Sequence, residues 1–199
     1  VGEDGASHQS VEDIALMRSI PGMVVVSPAD GVETKAAIRA VAEYDGPCYV
    51  RLGRMAVEDV YTEDSLHFEI GKGNVVRKGS KVALIANGIM VEAALAAADQ
   101  LKEKGLDVTV VDMHTIKPID ADLLVELAKD HELFVTCEEH SVIGGLGSAV
   151  AEVLSQKAPR KMAMVGIKDT FGESGTPAAL LEKYGLTAND IVKAVEENI

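Results

Sequence analysis

An α/β fold built on a mainly parallel sheet is predicted by two observations. From residue 81 onward, apolar runs of strand length alternate with amphipathic stretches of helical period, and three of the five stretches open on a capping residue. Strands separated by whole helices imply crossover connections and a sheet covered on both faces, which suits a three-layer α/β unit. The chain has 199 residues, 47% hydrophobic and 26% charged, enough for one or two globular domains with a buried core.

In chain order, Ser10 and Asp13 have the form of a capping box, so the spacing predicts a first helix opening near Val11, with Ile14, Ala15 and Met17 on its apolar face. Residues 23–26 read as a buried strand stopped by Pro28. Asp30 with Glu33 caps a second helix bearing Ala37, Ile38, Val41 and Tyr44, and residues 48–52 form a second strand. Two strands are too few to close an ordinary sheet, so residues 1–54 read as the end of a domain that starts upstream. Residues 55–80, acidic and then glycine-rich, read as a linker leading into a small hairpin or edge strand.

Residues 81–199 supply a complete unit. Strands are expected at 82–86, 107–111, 133–137 and 162–167. Helices are expected at 91–102, after Asp120, after Gly144 to Gly147, after Thr176–Pro177, and after Thr187 with Asp190.

A net charge of −13 and a pI near 4.8 offer no basic surface to a phosphate backbone or an anionic bilayer, so nucleic-acid and membrane partners are not expected. No apolar run approaches the roughly 20 residues that span a bilayer. Cys48 and Cys137 lie in strand-like runs and read as free thiols, which fits the cytoplasm.

Chemistry concentrates in the first ten residues, VGEDGASHQS, where Gly2 and Gly5 allow a path that brings Asp4 and His8 together ahead of a helix N-terminus. By residue type alone, solvated loop charges and a cap residue remain the commoner reading. Arg51 and Arg54 flank the end of the 48–52 strand. Arg54 could present a planar fork to a phosphate or carboxylate beside that loop, or be an ordinary surface arginine. Polar strand ends at Asn87, at Asp112 with His114, and at Glu138, Glu139 and His140 are further candidates. Gly144, Gly145 and Gly147 superficially resemble an anion cradle, yet no dinucleotide or P-loop spacing is present and close packing explains them more economically. Cys137 with His140 as nucleophile and base lacks an oxyanion-hole signature, and no metal set has a recognisable spacing.

The stretch GEDGASHQSVEDIALMRSIPGMVVVSPAD resembles the second half of the pyrimidine-binding domain of transketolases, with Ala6 and Ser7 where the family pattern has proline and threonine. YVRLGR, KPID, EEHSVIGGLG and FGESGTP resemble later parts of the same family, so the likeness covers nearly the whole chain. It implies residues 1–54 as the end of a pyrimidine-binding domain, 55–80 as a linker and edge hairpin, and 81–199 as a transketolase C-terminal domain.

It further implies that Asp4 reads the hydroxyl next to the reacting carbon, that His8 is catalytic and contacts the ketose end of the substrate, and that Arg54 holds the terminal phosphate. The implied reaction is transfer of a two-carbon ketol unit between sugar phosphates, as in the pentose phosphate pathway. Thiamine diphosphate and Mg2+ are expected only in the complete enzyme, bound upstream of Val1 and in another domain. No metal ligand is expected in this chain. The partners implied are an N-terminal diphosphate-binding domain or subunit and a second copy meeting through residues 81–199. The alternatives are a non-catalytic dimerisation or regulatory module, a piece of 1-deoxyxylulose-5-phosphate synthase, or a 2-oxoacid dehydrogenase beta subunit.

Overall fold

A computed structural model describes residues 5–199. Ala6–His8 form one 3-10 turn. The chain then runs α1 (Asp13–Ser19), β1 (Val24–Val26), α2 (Gly31–Glu43), β2 (Cys48–Val50), β3 (Asn74–Arg77), β4 (Lys81–Ala86) and α3 (Met90–Glu103). It continues with β5 (Thr109–Asp112), β6 (Thr115–Lys117), α4 (Ala121–Leu127), β7 (His131–Ser141), α5 (Leu146–Lys157), β8 (Lys161–Ile167), α6 (Pro177–Lys183) and α7 (Ala188–Glu196).

The larger sheet has the order β3-β5-β4-β7-β8, parallel throughout except for the antiparallel edge strand β3. Alternation along its strands makes two cores. Val82, Leu84, Val110, Leu133 and Val135 pack on one face with Val91 and Leu101 of α3 and Ile191 and Val195 of α7. Ala83, Ile85, Val111 and Phe134 pack on the other with Leu124 of α4 and Leu146, Val150 and Leu154 of α5. The mainly parallel α/β architecture follows from that arrangement.

Several predicted starts hold because their signals are local. The side chains of Asp30, Asp120, Thr176 and Thr187 each accept the backbone N–H three residues on, and Thr187 with Asp190 closes a reciprocal capping box.

Others are corrected. Ser10 caps nothing: α1 begins at Asp13, with Glu12 in the cap position and no side-chain cap bond. Tertiary contacts claim the two preceding residues, since the Ser10 carbonyl accepts from Arg51 Nη2 (3.1 Å) and the Val11 carbonyl accepts from Ser141 N (2.7 Å). The strand expected at 48–52 ends at Val50. Strand β7 runs past Cys137 to Ser141, which puts Glu138, Glu139 and His140 inside the strand instead of in a turn beyond it.

Strand β6 has no counterpart among the expected strands. It follows β5 after two residues, leaves the larger sheet, and pairs antiparallel with β1, giving a smaller sheet of order β2-β1-β6. Residues 115–117 thereby supply the third strand that the first 54 residues lack. The Lys117 ammonium also donates to the carbonyls of Arg18 (2.8 Å) and Ile20 (2.5 Å), tying the end of α1 to β6. Ile14 of α1 and Val25 of β1, both fully buried, sit in the same core as Ile85, Phe134 and Leu146.

Candidate functional site

Gly5, at φ +85°, turns the chain into the 3-10 turn in a conformation that side-chain-bearing residues rarely adopt. His8 closes that turn and is exposed, with Nδ1 3.2 Å from Ser7 Oγ. Gln9 leaves it, half-buried, and donates from Nε2 to the carbonyl of Glu173 at 2.9 Å. Asp4, expected opposite His8, lies outside the described residues.

Behind the loop, Arg51 is the hub. Its Nε donates to Asp13 Oδ2 at 3.0 Å, Nη1 to Glu139 Oε2 at 3.3 Å, and Nη2 to the carbonyls of Ser10 and Glu139. Its side chain is only 16% exposed. Tyr49 Oη donates to the same Asp13 carboxylate at 2.7 Å, and burial followed by that carboxylate pushes the phenol up to about 12. Arg51, just past the end of β2, is thus bound to the leading loop. Arg54 lies three residues on, exposed, near a cleft of about 340 Å³ whose walls include Leu52, Gly53, Met55, Asp59 and Ile89.

The glycines after β7 form a cradle that the chain fills itself. Both oxygens of the fully buried Glu138 carboxylate accept backbone amides at the start of α5, from Leu146 (2.6 Å) and Gly147 (2.9 Å). A Cβ on Gly145 would stand 2.0 Å from Glu138 Oε2, and one on Gly144 2.6 Å from the Ala15 methyl. Burial holds the Glu138 pKa up near 7 against those two amides. An external anion has no room there.

His140 is equally committed. Nδ1 donates to the Ser141 carbonyl (2.7 Å) and Nε2 accepts from Ala15 N (3.4 Å), a neutral tautomer that matches a pKa lowered mainly by burial. Cys137 is fully buried with its thiol pushed up by desolvation, so the two do not form a nucleophile and base.

A second polar cluster joins the strand-end pair Asp112 and His114 to Glu33, far away in sequence. Glu33, Asp112 and His114 are all fully buried, and the two carboxyls face each other where α2 meets the end of β5. Glu33 Oε2 accepts from Ala29 N (2.7 Å), and Asp112 Oδ2 accepts from Tyr61 Oη (2.8 Å). Among the described residues, Glu33 Oε1, Asp112 Oδ1 and His114 Nε2 find no hydrogen-bond partner. Burial, then the Asp112 charge, raises Glu33 to about 10; burial lowers His114, stacked on Phe68, to about 4. One shared proton between the carboxyls satisfies both orphan oxygens. The only sequence signal was the pairing of Asp112 with His114 at a strand end.

Among the described residues no group of three or more His, Cys, Asp or Glu side chains is arranged to hold a metal ion, and no helix is long and apolar enough to cross a membrane. With the α5 cradle filled by Glu138, the described residues do not fit a diphosphate and magnesium site.

Residues 71–191 match the family model of the transketolase C-terminal domain, and residues 1–59 that of the transketolase pyrimidine binding domain. The chain is 48% identical over 201 residues to a protein from Methanocaldococcus jannaschii described as a transketolase C-terminal section, covering 100% of this chain and 63% of the relative. It is 42% identical over 194 residues to the 6-deoxy-6-sulfo-D-fructose transketolase subunit SqwH of a Clostridium species, covering 98% and 60%. Relatives also include 1-deoxy-D-xylulose-5-phosphate synthases, such as that of Stutzerimonas stutzeri at 41% identity, of which the chain covers 31%. A solved structure, the inactive beta4 tetramer of a split gene transketolase, superposes with a TM-score of 0.94 at 54% identity, over 98% of this chain and 63% of that one. The chain therefore spans about three fifths of the length of its transketolase relatives. With two adjoining family models matched in order over this fold, the chain belongs to the transketolase family.

Proposed function

We propose that this chain is the substrate-reading part of a thiamine-diphosphate-dependent transketolase, moving a two-carbon ketol unit between ketose and aldose phosphates once joined to an N-terminal diphosphate-binding domain or subunit. Residues 1–54 close the pyrimidine-binding domain, 55–80 connect, and 81–199 form the C-terminal domain through which a second copy associates. The cytoplasm is the compartment. Thiamine diphosphate, held with Mg2+ by regions other than the described residues, supplies the chemistry at the reacting carbon.

One observation carries the reading: the His8 imidazole stands exposed on a turn packed closely at its start and bonded at its end through Gln9, which is how a group that must meet a substrate is presented. With Nδ1 turned to Ser7 Oγ, Nε2 is the nitrogen that exchanges a proton with a ketose hydroxyl. Asp4 reads the adjacent hydroxyl. Arg54 takes the terminal anion, a role that suits phosphate as well as the sulfonate in the name of the Clostridium relative.

The test is reconstitution with the N-terminal partner, thiamine diphosphate and Mg2+, comparing wild type with Arg54→Ala. Charge-assisted bonds of about 1.5–3 kcal/mol correspond to a loss of roughly tenfold to a hundredfold in kcat/KM with phosphorylated sugars. Hydroxypyruvate with an unphosphorylated aldose should be used as before. Equal losses on both pairs would remove Arg54 from phosphate recognition. Pyruvate serving as the preferred donor would favour the synthase reading instead.

A further inference from the structure

We propose that Gln9 and residues 171–175, from the far end of the chain, are positioning elements that hold the His8 turn; the inference rests on the catalytic reading of His8.

Both ends of the three-residue turn meet this one segment. At its start, Gly5 runs close against Ser174, so that an added Cβ would stand 3.0 Å from Ser174 Oγ. At its end, Gln9 Nε2 donates to the Glu173 carbonyl at 2.9 Å. The Gln9 side chain also lies flat on Gly172, where an added Cβ would stand 1.9 Å from Oε1 and 3.0 Å from Cδ. Gly172 is at no left-handed φ, so it is needed there for space alone.

The segment is anchored in turn. Tyr184 Oη, just past α6, donates to the Phe171 carbonyl at 3.0 Å, and the Glu173 carboxylate pairs with Lys183. A continuous path therefore runs from the end of α6, through residues 171–174, to the two residues flanking the 3-10 turn. An exposed turn of three residues with no buried side chain of its own cannot hold an imidazole steady. The clamp removes that freedom, and pre-set orientation is worth most in turnover.

Gly172→Ala is the discriminating variant. The obstructing atoms belong to a flexible side chain, so the fold should persist while Gln9 is expelled from its seat. In the assembled enzyme, Gly172→Ala and Gln9→Ala should each lower kcat about threefold to tenfold, the effect of losing one neutral hydrogen bond, with KM changed by about twofold or less. The double variant should lose no more than the worse single one, because both open the same clamp. In the chain alone, the His8 ring resonances should shift and broaden in both variants while the melting temperature stays near wild type.

Unchanged kcat together with an unmoved His8 resonance in Gly172→Ala would overturn the inference, as would additive losses in the double variant. His8→Ala, run in parallel, keeps the two readings apart. Wild-type turnover there would sink the catalytic role of His8, and the His8 resonance in Gly172→Ala would still decide whether the segment positions the turn.

Discussion

The buried carboxyl pair at the meeting of α2 and β5 makes stability depend on pH in a direction opposite to that of a salt-bridged carboxylate. Glu33, raised to about 10 by burial and by Asp112, binds a proton in the folded chain across a range where the unfolded chain, at its ordinary 4.5, has lost it. The folded state holds more protons, so stability falls as pH rises from the unfolded pKa toward the folded one. One proton corresponds to about 1.4 kcal/mol per pH unit, or roughly 2.7 kcal/mol between pH 6 and 8. Nearby groups do not replace the proton: Asp112, itself raised by burial, and Asp30 and the Tyr61 phenol add no positive charge, and His114, lowered to about 4, is neutral there. In Glu33→Gln the amide donates to Asp112 without needing a proton, while its oxygen still accepts from Ala29 N. The variant's stability should therefore fall less steeply by about 1.4 kcal/mol per pH unit. At about 2–4 °C per kcal/mol, its melting temperature should gain roughly 5–10 °C on wild type between pH 6 and 8. Urea unfolding at intervals across that range, with thermal scans as a second probe, reads the two slopes. Parallel wild-type and Glu33→Gln curves would show that the carboxyls do not share a proton.

Two further perturbations test other junctions. Arg51→Met strands the Asp13 carboxylate, only 9% exposed, and should cost about 3–5 kcal/mol in denaturant unfolding; a change of a few tenths would mean the ion pairs are dispensable. Glu138→Ala leaves the Leu146 and Gly147 amides without acceptors and empties a carboxylate from the start of α5, a loss of about 2–4 kcal/mol by the same measurement, whereas a variant as stable as wild type would show that the glycine cradle can be satisfied by water.

The family and the order of elements were legible because their signals are short. A capping residue such as Asp30 or Thr187 reaches only three residues ahead, and strands β4, β5 and β8 declare themselves by apolar runs, so neither depends on what lies across the molecule. The loop carrying His8 could be recognised by its order of residue types alone.

What the linear pattern could not convey is which partner each polar group meets. Ser10 and Asp13 carry a legitimate capping pattern, yet the Ser10 carbonyl goes to Arg51 and the Asp13 carboxylate to Arg51 and Tyr49, and α1 starts later as a result. Residues 115–117 are too short to announce a strand and become one only because β1 offers an open edge. Gly145 and Gly147 at a helix start would suit a phosphate equally well, but the Glu138 carboxylate fills the space an anion would take. Propensity and capping act within a turn or two of chain, whereas burial of a charge is settled by long-range packing; it is there that Arg51, Glu138 and the Glu33–Asp112 pair acquired their roles.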